Sequence, residues 1–272
     1  MFVPFFDWFR GELYANFSAR RPMRALFHSE KSLPAEIPRP AHTDVPALHG
    51  AELAAVYYGT RRAGDFYDFL RVSPDRVLFG LLDAAGGLEQ TRAIVSAAQT
   101  TFRTSGVELF AGEEINEANA VMELCLRLNQ VILKTAEGVH SCPAFAGCYN
   151  ENLGLVSYFN AGHTPGLLRD PEGISELPAT GLPLGLFSHS TSDAGMVAIE
   201  PGAVLLLASR GIVEGKCKNE EFGLARVKEV LARSNGNSAE TICRSLLDQV
   251  QDFMCAAPTH DDVTALALAR DS

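Results

Sequence analysis

Two aspartates on either side of a predicted strand are the first residues in the sequence that could bind a metal ion. Residues 76–82 form an almost continuous apolar run, typical of a strand buried on both faces. Asp83 ends this run, and Asp65 precedes it. A β-hairpin would bring the two carboxylates to one edge of a sheet, where carboxylates form sites for Mg²⁺ or Mn²⁺. The alternative is that both are ordinary turn residues.

A third acidic element lies far along the chain. Asp261 and Asp262 come directly before the apolar residues 263–268, which predict a C-terminal strand. Three acidic elements at strand ends, on strands that could share a sheet, favour one metal site over three unrelated turns.

Six short motifs occur in one order between about residues 33 and 270. They are Ala63-Gly64-Asp65-Phe66-Tyr67-Asp68, the strand ending in Asp83, Asn160-Ala161-Gly162-His163, Gly181-Leu182-Pro183-Leu184-Gly185, Ser209-Arg210-Gly211-Ile212-Val213-Glu214 and Asp261-Asp262-Val263-Thr264. In these motifs the sequence resembles the SpoIIE-like (RsbU-like) branch of the bacterial metal-dependent serine/threonine protein phosphatases, the PPM type. A resemblance of this kind predicts the fold more directly than the activity.

The resemblance implies a site for one or two divalent cations, Mn²⁺ or Mg²⁺, which make hydroxide available for attack on a phosphoserine or phosphothreonine. Asp83 matches the carboxylate that bridges two cations. Asp65 and the backbone carbonyl of Ala84 match ligands of one cation, and Asp261 matches a ligand of the other. For Asp262 we expect a cap of the strand or a contact to water beside the metal.

The sequence departs from the family pattern at Arg210, where the family usually has an aspartate that binds the second metal. A guanidinium stays protonated and cannot bind a cation. We therefore expect Arg210 to pair with Asp83 or Asp261 and to replace the charge of one metal. Glu214 either replaces the missing ligand or pairs with the guanidinium. The segment after Asp83 also departs, because it reads Asp-Ala-Ala-Gly-Gly instead of a longer Asp-Val-Ser-Gly-His-Gly run.

Two further residues could take part in chemistry. His163 could be an acid, a base or a ligand, but its place beside a turn glycine favours a hydrogen-bonded structural histidine. Ser209 is not expected to be a nucleophile, because no histidine and acid partner pair is apparent near it.

The motifs and their departures from the family pattern predict two alternative functions. The first is a PPM-type serine/threonine phosphatase, a hydrolase acting on a phosphorylated regulatory protein, which in the family is commonly an anti-sigma-factor antagonist. The second is a pseudophosphatase that binds the phosphoprotein with little turnover, which Arg210 favours. Regulation through the N-terminal tail is a third alternative, and homodimer formation is left open.

The net charge, the cysteines and the apolar runs indicate which partners and which compartment to expect. The net charge of −10 argues against a nucleic-acid partner. No Cys-x-x-Cys pair suggests zinc, and most of the cysteines fall in apolar stretches, so we expect a reducing, cytoplasmic setting. No apolar run has the length of a transmembrane segment.

Residues 1–48 are predicted to be a tail and proline-rich linker, and residues 49–270 the phosphatase domain. The aromatic residues of the tail are expected to dock on their own domain; a partner or membrane-surface contact is the alternative.

Predicted strands come mostly in hairpins and predicted helices in pairs, which favours antiparallel sheets covered by helices, an α+β fold. The strands are predicted at residues 51–58, 143–149, 153–160, 164–169, 196–200, 203–208 and 263–269, and the segments 196–200 and 203–208 are expected to pair through a turn at residues 201–202. The helices are predicted at 88–105, 114–137, 220–233 and 239–254, and Ile94, Ala98 and Phe102 have helical spacing in the first of them. The resemblance implies a four-layer α-β-β-α sandwich with two central, mostly antiparallel sheets.

Overall fold

The computed structural model describes residues 45–58, 64–84, 86, 88–136, 140–188, 193–254 and 262–272. The elements in chain order are β1 (Ala51–Tyr58), β2 (Gly64–Ser73), β3 (Arg76–Ala84), α1 (Leu88–Phe110), α2 (Glu117–Thr135), β4 (Ala144–Asn150), β5 (Leu155–Ala161), β6 (Gly166–Asp170), β7 (Gly173–Leu177), β8 (Gly195–Ala198), β9 (Val204–Ala208), α3 (Arg210–Val213), β10 (Lys216–Cys217), β11 (Glu220–Glu221), α4 (Gly223–Ala232), α5 (Ala239–Phe253) and β12 (Val263–Arg270).

These strands form two five-stranded sheets and one small hairpin. The first sheet has the order β1-β12-β9-β6-β7, the second sheet has the order β2-β3-β4-β5-β8, and β10 pairs with β11. Every pairing between these strands is antiparallel. The antiparallel arrangement predicted from the hairpin pattern is therefore confirmed.

The sheets and helices stack in four layers, and an apolar cluster fills each of the three spaces between them. One cluster lies between the second sheet and helices α1 and α2, and it contains Leu82, Phe102 and Leu128. Another lies between the first sheet and helices α4 and α5. The third lies between the two sheets, where Phe79 and Leu266 are fully buried. This order of helices, sheet, sheet and helices is the four-layer α-β-β-α sandwich that the resemblance implied.

The β2–β3 hairpin is the element that carries the two aspartates. All nine residues of β3 are buried, as predicted from the apolar run. Asp65 is the second residue of β2 and lies directly opposite Asp83 in the pairing of the two strands. On the helix-facing side of the same hairpin, the fully buried Asp68 accepts hydrogen bonds from Nε and Nη2 of Arg103 on α1, both at 2.6 Å. This ion pair joins the hairpin to α1.

One strand pairing predicted from the sequence is wrong. Residues 196–200 and 203–208 were expected to pair with each other, but β8 pairs with β5 in the second sheet and β9 pairs with β12 and β6 in the first sheet. The turn at residues 201–202 therefore crosses between sheets. The sequence also gave no prediction for β7, α3 or the β10–β11 hairpin.

Cys142, Cys148 and Cys243 are buried and free, and Cys125 is also buried, as expected of small apolar residues. Cys217 departs from the expectation of reduced cysteines, because it is disulfide-bonded. No helix in the described ranges is long and apolar enough to cross a membrane. The expectations for residues 1–44 lie outside the described residues.

Candidate metal and phosphate site

The candidate site lies at one end of the space between the two sheets. Because side chains alternate along a strand, Asp65 shares a face with Tyr67 and Phe69, which pack in the cluster between the sheets. By the same alternation, Asp83 shares a face with Leu81. Directly opposite residues of an antiparallel pair have Cβ atoms about 4.5–5.5 Å apart, so two like charges face each other here.

Residues of the first sheet reach across to Asp65. The hydroxyl of Thr264, on β12, donates a hydrogen bond of 2.8 Å to Asp65 Oδ2. Ser209, after β9, contributes a second hydrogen bond to the Asp65 carboxylate. The Ser209 hydroxyl also accepts a 2.9 Å hydrogen bond from the backbone N–H of Thr264. These contacts fix the orientation of Asp65 from the opposite sheet.

The pKa of Asp65 is raised well above its usual value. Burial is the largest cause, and the neighbouring charges of Asp83 and Asp262 add to it. The hydrogen bonds from Thr264 and Ser209 lower the pKa but do not cancel these effects. The site thus concentrates negative charge away from water, an arrangement that a bound cation stabilises.

Arg210 provides positive charge at this end of the sheets. It is the first residue of α3, and its Nε lies 3.2 Å from Asp83 Oδ2. The two groups form an ion pair, although Nε has no aligned hydrogen-bond partner. This is one of the two contacts expected for Arg210 from the sequence. The Arg210 side chain is 40% exposed, so the guanidinium also borders open space.

A cavity of about 240 Å³ adjoins the ion pair. Its lining includes Asp83, His163, Thr164, Arg210 and Glu214. A water molecule takes about 30 Å³ of liquid, so the cavity has room for a phosphoryl group and several waters.

The Asn160–His163 motif forms a hydrogen-bonded turn beside this cavity. The Asn160 side chain accepts a 2.8 Å hydrogen bond from the backbone N–H of His163 and donates to the carbonyls of Thr164 and Leu177. Gly162 has φ +69°, and a Cβ there would lie 2.5 Å from a side-chain carbon of Pro183. The asparagine and glycine of the motif are therefore needed for the turn that holds His163.

The structure brings together some of the residues predicted for the site. Asp65 and Asp83 face each other, and Ala84 is the buried last residue of β3. Asp261 lies outside the described residues. Glu214 is exposed at the cavity, and Arg210 pairs with Asp83 rather than with Glu214.

Sequence reasoning missed the roles of Thr264 and Ser209. The motifs that contain them indicate no contact between either hydroxyl and Asp65. Asp262 is 2% exposed and its charge acts on Asp65, so it belongs to the buried acidic group. The alternation along β12 could have indicated Thr264, since residues 262 and 264 share a face with Leu266.

The oxygen donors at this end of the sheets are of the type that hard divalent cations prefer. Asp65, Asp83 and the Ala84 carbonyl are hard oxygen donors, and the raised pKa of Asp65 reflects uncompensated buried charge. Arg210 pairs with Asp83, and its positive charge opposes cation binding at this carboxylate. Within the described ranges, no group of three or more His, Cys, Asp or Glu residues is arranged to hold a metal ion.

Comparison with known families agrees with this geometry. The sequence model of the family described as "Stage II sporulation protein E (SpoIIE)" matches residues 73–271. The chain belongs to the SpoIIE family. The resemblance to SpoIIE-like, PPM-type phosphatases stated from the motifs is thereby confirmed.

Two curated relatives cover much of the chain. Protein IcfG of Synechocystis sp. is 24% identical over 248 residues, which are 84% of this chain and 39% of IcfG. Phosphoserine phosphatase RsbP of Bacillus subtilis is 23% identical over 153 residues, which are 56% of this chain and 37% of RsbP. The chain thus spans about two fifths of the length of the relatives it matches.

The fold is shared with a solved phosphatase domain. The structure of the PP2C phosphatase domain and a fragment of the regulatory domain of SpoIIE from Bacillus subtilis matches with a TM-score of 0.64 at 16% identity. The match covers 81% of this chain and 62% of that chain. The SpoIIE family member described here therefore has the PP2C fold.

Proposed function

We propose that this SpoIIE family member is a divalent-cation-dependent phosphatase that hydrolyses phosphoserine or phosphothreonine on a regulatory protein, with slow turnover. The observation that carries the proposal is the pair formed by the partly buried Asp65 and the buried Asp83, directly opposite each other at the end of the sheets. Two facing carboxylates repel each other when both are charged, and a bound divalent cation would relieve this repulsion. A scaffold without a ligand would have no use for this charge.

The residues of the site have separate roles in the proposal. Asp65, Asp83 and the Ala84 carbonyl would hold the cation, and Asp261 is proposed as a further ligand. A bound divalent cation lowers the pKa of water and neutralises charge on a phosphoryl oxygen. Thr264 and Ser209 keep Asp65 oriented toward the cation.

Arg210 is proposed to take over part of the role of a second cation. Its guanidinium borders the cavity and presents donors that suit phosphoryl oxygens. A guanidinium neutralises charge but does not lower the pKa of water as a metal does. Binding of the phosphoryl group is therefore retained better than turnover, which is why we expect slow hydrolysis.

The proposed partner follows from the name of a relative and from the net charge of this protein. RsbP is a phosphoserine phosphatase by name, and the family commonly acts on anti-sigma-factor antagonists, so we propose a small phosphorylated regulatory protein of that kind. The net charge of −10 repels acidic phosphoproteins at long range. The local positive charge of Arg210 and of the bound cation must therefore attract the phosphate group.

A second candidate function is a phosphoprotein-binding pseudophosphatase. The Arg210–Asp83 ion pair favours it, because the guanidinium occupies one side of the carboxylate that would otherwise bridge two metals. Such a protein would bind a phosphopeptide and release it unchanged.

The deciding experiment is hydrolysis of a chromogenic phosphate ester and of a phosphoserine peptide, with Mn²⁺ and Mg²⁺ titrated separately. We expect cation-dependent hydrolysis that Asp83→Asn lowers by more than about 100-fold, since several kcal/mol of charge stabilisation are lost. Asp75→Asn is the matched control, because Asp75 lies at the turn of the same hairpin, at its opposite end. Phosphopeptide binding without hydrolysis would favour the pseudophosphatase, and hydrolysis independent of cations would contradict both.

A further inference from the structure

Two of the buried polar atoms that lack a hydrogen-bond partner within the described ranges belong to residues that line the cavity. They are Nε2 of His163 and Nε of Arg210. Buried polar atoms are nearly always paired, so an unpaired one beside a cavity indicates a missing ligand or water. Arg210 Nε has Asp83 nearby, but His163 Nε2 has no such neighbour among the described contacts.

The hydrogen bonds around His163 decide which ring nitrogen carries the proton. Nδ1 lies 3.1 Å from the carbonyl oxygen of Thr164 and 3.1 Å from its hydroxyl oxygen. The single hydroxyl proton of Thr164 is donated to the carbonyl of Ala208. Both atoms near Nδ1 are therefore acceptors, so Nδ1 carries the proton and Nε2 of the neutral ring has a free lone pair.

The surroundings keep this ring neutral. His163 is 5% exposed, and burial together with the nearby charge of Arg210 lowers its pKa to about 4. The hydrogen bond to Thr164 acts in the opposite direction but is the smaller effect. At neutral pH the imidazole is thus an acceptor at Nε2, and it suits a ligand that donates an O–H group.

We propose that His163 is a positioning residue of this site, whose Nε2 accepts a hydrogen bond from the water that attacks the phosphoryl group. The inference rests on the proposed phosphatase function. A water molecule that donates one hydrogen to Nε2 keeps its lone pairs for the bond to phosphorus, while Arg210 donates to the phosphoryl oxygens. As this bond forms, the bond between phosphorus and the serine or threonine oxygen breaks. One proton of the water passes to solvent and the leaving alcohol takes up one from solvent, so the imidazole stays neutral. The turn formed by Asn160 and Gly162 holds the ring in place. His163 is therefore more than the structural residue that its sequence context favours.

Two substitutions separate this role from a structural one. In His163→Asn the side-chain amide replaces Nδ1–H and keeps the hydrogen bond to Thr164, but it has no acceptor at the position of Nε2. In His163→Gln the amide reaches the position of Nε2 and loses the Nδ1 contact. We expect His163→Asn to lower kcat about 10- to 100-fold at nearly unchanged KM, and His163→Gln to retain more activity. If His163 only supports Thr164, the order of the two variants is reversed, and that result overturns the proposal.

A measurement on the wild-type protein tests the same contact without turnover. The attacking oxygen ends up in inorganic phosphate, whose remaining O–H can donate to Nε2 when the product is bound. In NMR spectra of isotope-labelled histidine side chains, added phosphate with Mg²⁺ should shift the Nε2 signal of His163, identified by its loss in His163→Asn. No response of this signal to phosphate contradicts the proposal, and His163→Gln provides the same assignment if His163→Asn does not fold. Absence of hydrolysis by wild type together with an Nε2 response would overturn the phosphatase function but keep the phosphate contact.

Discussion

Replacing Arg210 by aspartate removes a cation from the site and adds a carboxylate where the resemblance places a metal ligand. Arg210 Nε is 3.2 Å from Asp83 Oδ2. Two unit charges at that separation interact by about 5 kcal/mol at an effective dielectric constant of about 20, and by about 1.3 kcal/mol in water. Because the Arg210 side chain is 40% exposed, solvent screening favours the lower part of this range, about 2 kcal/mol.

That interaction energy sets the expected change in metal affinity. A divalent cation must compete with the guanidinium for Asp83, so removing Arg210 returns about 2 kcal/mol to cation binding, a factor of about 30 in the dissociation constant. The new carboxylate adds a ligand and increases the gain. We expect Arg210→Asp to bind Mn²⁺ at least about 30-fold more tightly and to hydrolyse a phosphate ester faster. Calorimetric titration with Mn²⁺ and steady-state kinetics measure the two effects.

Two further variants separate loss of the cation from gain of a ligand. Arg210→Gln removes the charge without adding a carboxylate, and Arg210→Lys keeps the charge without the planar fork. Mn²⁺ affinity should rise from the lysine variant, close to wild type, through glutamine to aspartate. Thermal unfolding of each variant controls for misfolding. If Arg210→Asp binds Mn²⁺ no more tightly, or if wild type already turns over fast and Arg210→Asp is slower, the proposed role of Arg210 is wrong.

Three further predictions concern stability. The folded-state pKa of Asp65 is raised, so its contribution to stability is fully present below the unfolded pKa of about 3.9 and is lost as pH rises through the folded pKa. Without divalent cations, Asp65→Asn should therefore unfold at a higher urea concentration than wild type at pH 8, and it should show no such gain when Mn²⁺ is saturating. Arg103→Ala removes the ion pair of the fully buried Asp68 and should lower the free energy of unfolding by about 3–5 kcal/mol. Arg127→Ala is the control: the acidic partners of Arg127 are exposed, so this substitution should change the melting temperature little. Deleting residues 1–30 should leave a domain that melts cooperatively; loss of the cooperative transition would show that the tail is part of the core.

The local features of the fold were predictable because they depend on neighbours in sequence. The apolar run before Asp83 gave a fully buried strand, and strand alternation with a hairpin was enough to bring Asp65 to the same edge. The helices also follow from periodicity: Ile94, Ala98 and Phe102 are buried on α1, as their spacing indicated. The order of the motifs was sufficient for the family.

Strand pairing between distant segments was not predictable from local pattern. The hydrogen bond from Thr264 to Asp65 joins residues 199 positions apart, and it exists because β12 lies in the sheet opposite β2. Likewise, β8 and β9 follow each other in sequence but belong to different sheets. Only the packing of the two sheets decides which acceptor each hydroxyl meets.

The sequence alone therefore determined which residue types are available for chemistry: the facing aspartates, the arginine in place of a ligand and the histidine after a turn glycine. Tertiary structure decided what each of them contacts. Arg210 reaches Asp83 because α3 begins where β9 ends beside β12. The acceptor of His163 is at Nε2 because Nδ1 contacts Thr164, whose hydroxyl donates to the carbonyl of Ala208. Such contacts depend on the position of side chains from several strands at once, and spacing along a single segment carries no information about them.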